Sequence, residues 1–173
     1  CLFTVLKPRV CAGEELNVYN WSEYIDPDLI TEFEEQTGIK VNLSLYESSE
    51  EMLAKIQYAG GVSQYDVVII SNMMVPLMAR LNLLQPLDHG KIPNRTNLEK
   101  EFLNPSYDPN TKYSLAYQWG TVGLMYNKAR LPNLTPSWSV IFDRQKEAGT
   151  FILIDEMRDQ LGVALIYLGY SSN

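Results

Sequence analysis

The chain has 173 residues, enough for one ample domain or two small ones, and its 46% hydrophobic content is typical of a globular protein. Its 14 basic and 21 acidic residues give a formal net charge of −7, which argues against nucleic acid as a partner, because nucleic-acid binding needs clustered lysine and arginine. The single histidine and two cysteines form no Cys/His cluster, so we expect no structural zinc site. We also expect no cofactor.

Residues 1–13 read as a leader or as the remnant of a membrane anchor. Residues 10–12 (Val-Cys-Ala) have the small side chains of a signal-peptidase site, and Gly13 would begin a mature protein. A lipid on Cys1 or Cys11, an uncleaved leader and an artificial chain boundary all explain this segment. No run approaches the roughly 18 apolar residues that a membrane span needs.

The first predicted β-α unit begins after this segment. Leu16 to Tyr19 reads as a strand. Asp26 is a good helix N-cap with Pro27 at the first helical position, and Gly38 ends the helix.

The second unit has the same order of signals. Residues 39–45 alternate between apolar and polar side chains, which predicts a half-buried strand. Ser48 and Glu51 form a capping box that opens a helix, and the glycine pair at 60–61 stops it.

The third predicted unit is again a strand followed by a helix. In residues 66–70, Asp66 is followed by a continuous apolar run that is typical of a buried parallel strand, and a short helix follows over 74–81. Three β-α units in succession predict a parallel sheet with right-handed crossovers, and therefore an α/β fold.

The remaining chain is less regular. Four prolines predict a long surface excursion over 82–112, with a short helix around 98–103. The pattern then predicts a strand over 113–126 and a helix that begins at 136 and ends at 149. The last two predicted elements are a buried strand over 150–154 and a helix over 157–168.

Side chains suited to an organic cation follow the predicted strands at their carboxyl ends, where α/β proteins bind ligands. Aromatic faces attract cations, and carboxylates accept hydrogen bonds from ammonium groups. Each residue also has a purely structural explanation: Trp21 as a half-buried core ring, Met73 as core filler, and Asp155 or Glu156 as the acid that opens a helix. The set consists of Trp21, Ser22, Glu23, Tyr24, Tyr46, Glu47, Ser48, Ser71, Asn72, Met73, Asp155, Glu156 and Asp159.

The sequence contains few signals of enzymatic chemistry. It has no G-x-G-x-x-G motif, no P-loop and no G-x-S-x-G nucleophile elbow. Its carboxylates would suit general acid–base work, although nothing places two of them at a defined separation. We therefore predict a protein that is not an enzyme, and keep a carboxylate-dependent α/β hydrolase as the alternative from another class.

Several segments together resemble the bacterial periplasmic spermidine/putrescine-binding proteins, the substrate-binding components of polyamine ABC transporters. They occur in the family's order from residue 16 onward, and jointly they are specific. The segments are Tyr19 to Ile25 (YNWSEYI), Thr37 to Val41 (TGIKV), Tyr46 to Glu50 (YESSE), Tyr65 to Val68 (YDVV), Tyr117 to Gly120 (YQWG), Ser137-Trp138, and Leu168 to Ser171 (LGYS).

The resemblance implies a two-lobed α/β fold of the periplasmic-binding-protein type (type II), with the ligand clamped between the lobes. Residues 14–118 would form the first lobe, residues 119–173 would form the crossover and an incomplete second lobe, and the remainder of the protein would be absent from this chain. It further implies an extracytoplasmic, periplasmic or lipid-anchored receptor that delivers polyamines to a membrane permease. Another small cation such as thiamine is the alternative ligand.

The resemblance also assigns ligand contacts. In the family, a Trp, a Thr and a Tyr of the first motif contact the polyamine, and a Ser follows the third strand. An aromatic position of the family corresponds to Met73 here, which removes a cation–π surface. An Asp and a Glu of the family correspond to Glu156 and Asp159, so the charges are kept but the longer and the shorter side chain change places. The expected ligand-binding residues are therefore Trp21, Ser22, Glu23, Tyr24, Ser71, Met73, Glu156 and Asp159.

Overall fold

A computed structural model describes residues 2–5, 15–58, 64–143 and 149–171. The strands of the described residues form one five-stranded sheet in the order β3-β2-β4-β1-β5. β2 pairs in parallel with β3 and β4, whereas β1 is antiparallel to β4 and β5. The strands are β1 (Leu2–Val5), β2 (Glu15–Trp21), β3 (Lys40–Tyr46), β4 (Val67–Ile70) and β5 (Leu115–Ala116).

The α-helices of the described residues fall into two groups along the chain. The residues themselves form two compact units, one ending at Trp119 and the other beginning at Gly120. The first unit contains α1 (Pro27–Thr37), α2 (Ser49–Tyr58) and α3 (Met74–Arg80), and the second contains α4 (Ser139–Phe142) and α5 (Met157–Tyr167).

The predicted ends of α1 are confirmed. The Asp26 side chain accepts a hydrogen bond from the Asp28 backbone N–H (3.0 Å), and Pro27 occupies the first helical position. Gly38 closes the helix with φ +72°, a left-handed conformation that glycine adopts without steric cost, and its N–H donates to the Glu34 carbonyl.

The predicted cap of α2 is also confirmed. The Ser48 hydroxyl oxygen accepts a hydrogen bond from the Glu51 N–H at 3.2 Å, and the Glu51 carboxylate accepts one from the Glu47 N–H at 3.4 Å. These bonds satisfy backbone donors that have no partner inside the helix. The predicted stop at residues 60–61 lies outside the described residues.

The core of the first unit lies against the central strands. β4 is buried along its whole length, as its unbroken run of branched apolar residues predicts. Tyr19 and Tyr46 from β2 and β3 pack with Met52 of α2, and all three side chains are at most 1% exposed. Val18 joins Val67 and Ile69 in a second apolar cluster.

Residues 2–5, which the sequence pattern assigns to a leader or anchor remnant, form a strand of the sheet. β1 pairs with β4 from Leu2 opposite Ile70 to Val5 opposite Val67, and it makes the sheet mixed instead of parallel. A short run of Leu, Phe, Thr and Val has high β-propensity, and it covers the edge of β4 that would otherwise expose unpaired backbone groups. The predicted leader cleavage site, with Cys1 and Cys11, lies outside the described residues.

The excursion after α3 is held by a buried carboxylate. Its regular structure is limited to short 3-10 turns between His89 and Thr111. Asp108, which is 2% exposed, accepts hydrogen bonds from the Ser114 N–H (2.8 Å), the Ser114 hydroxyl (2.7 Å) and the Tyr113 N–H (3.0 Å). These bonds hold the two residues that directly precede β5.

Three predictions for the last part of the chain need correction. The strand over 113–126 is limited to β5, and residues 117–127 have no regular structure. The helix predicted over 136–149 is α4, which ends at Phe142, and residues 144–148 lie outside the described residues.

The third correction concerns residues 150–154, which form no strand and are exposed; Ile152, for example, is 95% exposed. The prediction rested on the apolar content of the run. Apolar content favours a strand only when a neighbouring strand is present to accept its hydrogen bonds, and the described residues of the second unit contain none. The helix predicted after this segment is confirmed as α5.

Candidate ligand-binding site

The carboxyl ends of the central strands lie side by side. Trp21 at the end of β2 is directly opposite Tyr46 at the end of β3. On the other side of β2, Val18 is opposite Val67, and this register brings the end of β4 to the same edge. The predicted convergence of the side chains that follow these three strands is therefore confirmed within the first unit.

Aromatic rings line this edge at different depths. The Trp21 ring lies 4.5 Å from Tyr46 and 6.2 Å from Tyr24 between centroids. Tyr46 is buried and donates its hydroxyl proton to the Ile69 carbonyl, whereas Trp21 is half-buried and Tyr24 is 40% exposed. The exposure of the three rings thus increases from the buried Tyr46 through Trp21 to Tyr24 at the surface.

Deeper tyrosines already hold a cation from the chain itself. Tyr19 and Tyr65 stack with centroids 4.3 Å apart, and the Lys55 ammonium lies 4.8 Å from the Tyr19 centroid. A hydrogen bond to Tyr65 raises the pKa of Lys55, against the opposing effect of burial, so the ammonium stays charged. Burial raises the pKa of Tyr19. Because Lys55 lies over these faces, Trp21 and Tyr24 are the rings of residues 19–24 that remain for a ligand.

The indole of Trp21 offers a ligand its ring more than its N–H group. Its Nε1 atom is buried, and no hydrogen-bond acceptor for it is found in the part of the chain that the structure describes. A protonated amine is itself only a donor and leaves this N–H unsatisfied. The face of the ring is therefore the part of Trp21 that can attract a cation.

The loop after β2 is held in an unusual backbone conformation. Glu23 has φ +62°, which costs a non-glycine residue about 1–3 kcal/mol and requires support from its surroundings. The Ser22 N–H donates to the Tyr46 carbonyl (3.2 Å), and the Ser22 hydroxyl donates to Glu47 Oε1 (2.6 Å). On the other side of the loop, the Tyr117 hydroxyl donates to the Tyr24 carbonyl at 2.7 Å.

Loss of the Tyr117 hydroxyl is expected to loosen this loop. A net hydrogen bond contributes about 1 kcal/mol, so Tyr117→Phe should speed hydrogen exchange of the amides at residues 22–25 about fivefold, as measured by mass spectrometry. Tyr58→Phe is the matched control, because Tyr58 is exposed and its hydroxyl is remote from any core packing. Unchanged exchange in Tyr117→Phe would show that the loop is held without this bond.

Ser71 and Met73 follow β4 at the same edge. The Ser71 carbonyl accepts a hydrogen bond from the Met74 N–H (3.0 Å), which forms the turn into α3. Ser71 is half-buried, and Met73 is 41% exposed. Met73 is thus a surface residue beside the aromatic edge, in contrast to the structural interpretation of it as core filler.

Glu156 and Asp159 belong to the second unit. Glu156 is the N-cap residue of α5, and Asp159 lies in its first turn; both are half-buried. They follow an irregular segment, so the prediction that they stand at the end of a strand is wrong. An acidic pair at a helix N-terminus also has a structural role, because it complements the helix dipole.

Two residues at the edge are missing from the predicted ligand set. Glu47 binds the Ser22 hydroxyl, and Tyr117 binds the loop backbone. Glu47 is already among the strand-end side chains grouped from the sequence, because it directly follows the second predicted strand; its bond to Ser22 is what the pattern did not predict. Tyr117 is 93 residues from its partner, and no sequence signal links the two.

The described residues offer neither a metal-binding cluster nor a membrane-spanning helix. They contain no group of three or more His, Cys, Asp or Glu side chains placed to hold a metal ion. They also contain no helix long and apolar enough to cross a membrane.

Known proteins resemble the chain in sequence and structure. The spermidine/putrescine-binding periplasmic protein of Escherichia coli (strain K12) is 38% identical over 160 residues, which are 91% of this chain and 45% of that protein. The solved structure of a spermidine/putrescine ABC transporter substrate-binding protein from Streptococcus pneumoniae is 40% identical, with a TM-score of 0.74, over 93% of this chain and 49% of that one. A lipoprotein of Treponema pallidum is 37% identical, with a TM-score of 0.82, over 91% and 49%.

These structural similarities confirm the predicted α/β fold of the periplasmic-binding-protein type. Residues 28–171 match the family model of the bacterial extracellular solute-binding proteins. The chain belongs to that family. It spans about half the length of the relatives that it matches.

Proposed function

We propose that the protein carrying this chain is a receptor that captures polyamines such as spermidine and putrescine. The observation that carries the proposal is the edge formed by Trp21, Tyr24 and the acidic residues beside them. The relatives named for spermidine and putrescine support the choice of ligand. The proposed ligand contacts are those expected from the sequence: Trp21, Ser22, Glu23, Tyr24, Ser71, Met73, Glu156 and Asp159.

The chemistry of polyamines suits such a site. They carry ammonium groups on methylene chains, so an aromatic ring packs against the methylenes and attracts the charge, which contributes about 0.5–2 kcal/mol per contact. A hydrogen bond from an ammonium group to a carboxylate contributes about 1.5–3 kcal/mol. Ser71 adds a neutral acceptor, and Met73 adds apolar contact area without a cation–π face.

The proposal includes the biological setting of the relatives. The receptor would work outside the cytoplasm, in the periplasm or on a lipid anchor, and would deliver its ligand to the membrane permease of an ABC transporter. It would bind its ligand without transforming it. Residues 14–118, together with β1, would form the first lobe, and residues 119–173 the crossover and the start of the second.

Isothermal titration calorimetry tests this function. The full-length gene product that contains these 173 residues is titrated with spermidine, putrescine, thiamine and sulfate, and the 173-residue chain is titrated in parallel. We expect saturable binding of a polyamine by the full-length protein and weaker binding by the chain alone. No heat with either polyamine, together with saturable binding of thiamine or sulfate, would overturn the proposed ligand.

A further inference from the structure

Ser22 and Glu47 form a short charge-assisted hydrogen bond at the aromatic edge. The Ser22 hydroxyl donates to Glu47 Oε1 at 2.6 Å, within the range of an O–H···O hydrogen bond, and a carboxylate acceptor strengthens such a bond. The backbone fixes the pair, because Trp21 is opposite Tyr46 in the parallel register and the Ser22 N–H donates to the Tyr46 carbonyl. The two side chains are therefore held as neighbours before any ligand arrives.

The direction of this bond limits what Ser22 can offer. An ionised carboxylate has no proton to donate, so the single hydroxyl proton of Ser22 points to Glu47. The lone pairs of Ser22 Oγ are what remain for a ligand. A hydroxyl in this state accepts hydrogen bonds and cannot donate one.

An ammonium group and an anion respond to such a hydroxyl in opposite ways. An ammonium group has only donors, which match the free lone pairs, whereas a sulfate or carboxylate ligand has only acceptors. We propose that Glu47 is a positioning residue that holds Ser22 as an acceptor and thereby sets the preference of the site for ammonium groups. This inference rests on the proposed function, and it assigns a role to a residue outside the predicted ligand set.

A double-mutant cycle in the full-length protein tests the proposal, with spermidine as the probe in calorimetry. Glu47→Gln, Ser22→Ala and the double variant are compared with the wild type. Glu47→Gln should weaken spermidine binding about tenfold, because the glutamine amide can donate a hydrogen bond to Ser22 Oγ. The hydroxyl proton of Ser22 is then free to point towards the ligand, and Ser22 is no longer held as an acceptor. In the Ser22→Ala background the same change should cost less than twofold, because its target is gone.

Two further variants separate the hydrogen bond from the charge. Glu47→Asp keeps the charge but shortens the side chain, so it breaks the bond and should weaken binding about as much as Glu47→Gln. Glu50→Gln removes an exposed charge three residues further along the chain and should change binding less than twofold. Circular dichroism of each variant checks that it is folded, and Glu47→Asp keeps the test decisive if Glu47→Gln does not fold.

The outcomes are distinct. A tenfold loss that disappears without the Ser22 hydroxyl supports the proposal. Equal losses of affinity in both backgrounds, or an unchanged affinity in Glu47→Asp, would mean that Glu47 acts only through its charge. An unchanged affinity in Glu47→Gln would mean that Glu47 has no role. Each of these results overturns the inference while polyamine binding stands. A wild-type protein that does not bind polyamine overturns the proposed function, and this inference with it.

Discussion

Trp21→Ala is expected to weaken spermidine binding by the full-length protein about 100-fold. The substitution removes the half-buried ring that packs against Tyr46 and lies next to the exposed Tyr24. A central aromatic contact costs about 2–4 kcal/mol when it is truncated, and about 2.7 kcal/mol corresponds to that change in affinity. Calorimetry with spermidine measures the effect.

Trp21→Phe is the matched control for this prediction. It keeps an aromatic face at the same place, so we expect a loss of about tenfold or less, since tryptophan has the strongest cation–π face of the aromatic residues. Denaturant unfolding of both variants separates lost binding from lost stability, because Trp21 also packs on the core. Wild-type affinity in Trp21→Ala would contradict the proposed role of the ring.

Asp108→Ala is expected to lower the free energy of unfolding by about 3 kcal/mol, the largest loss of stability that we predict. The buried carboxylate accepts hydrogen bonds from two backbone N–H groups and the Ser114 hydroxyl, and its removal leaves these donors without a partner in the protein interior. The loss should also detach the segment that enters β5. Urea denaturation followed by circular dichroism measures the change.

Two further variants serve as comparisons for the loss of unfolding free energy in Asp108→Ala. Asp108→Asn keeps an oxygen acceptor without the charge, and we expect it to recover about half of the loss. Asp88→Ala removes an exposed aspartate of the same excursion, which accepts a hydrogen bond from the Gly90 N–H (3.1 Å) and lies 3.8 Å from the Lys91 ammonium, and it should cost less than about 1 kcal/mol. Equal stability of Asp108→Ala and Asp88→Ala would show that the buried carboxylate does not hold the excursion.

The fold was predictable where the signal is local. An N-cap side chain, a proline and a glycine within a dozen residues determine the bounds of α1, and the unbroken apolar run determines β4. The prediction was wrong for residues 150–154, because a strand depends on a partner from any part of the chain, and the residues of the strand itself do not reveal it. The same reason explains why β1 was left out of the sheet.

The candidate site was likewise predictable only where its residues follow the predicted strands. Residues that follow successive parallel strands meet at one edge whatever their identity, so Trp21, Tyr24 and Ser71 could be grouped from the pattern alone. What could not be grouped was the late acidic pair, since Glu156 and Asp159 do not follow a strand. The bond from Tyr117 to the loop also has no counterpart in the pattern.

By itself, the sequence determined which chemical groups stand at the ends of the central strands and where the helices of the first unit begin. Those properties depend on neighbours within one or two helical turns, where backbone hydrogen bonds are local. Only the tertiary structure decided that Ser22 meets Glu47, 25 residues away, and that Tyr117 meets Tyr24, 93 residues away. Such contacts depend on the register between strands and the path of a loop, because a shift of one residue would turn each side chain to the opposite face of the sheet.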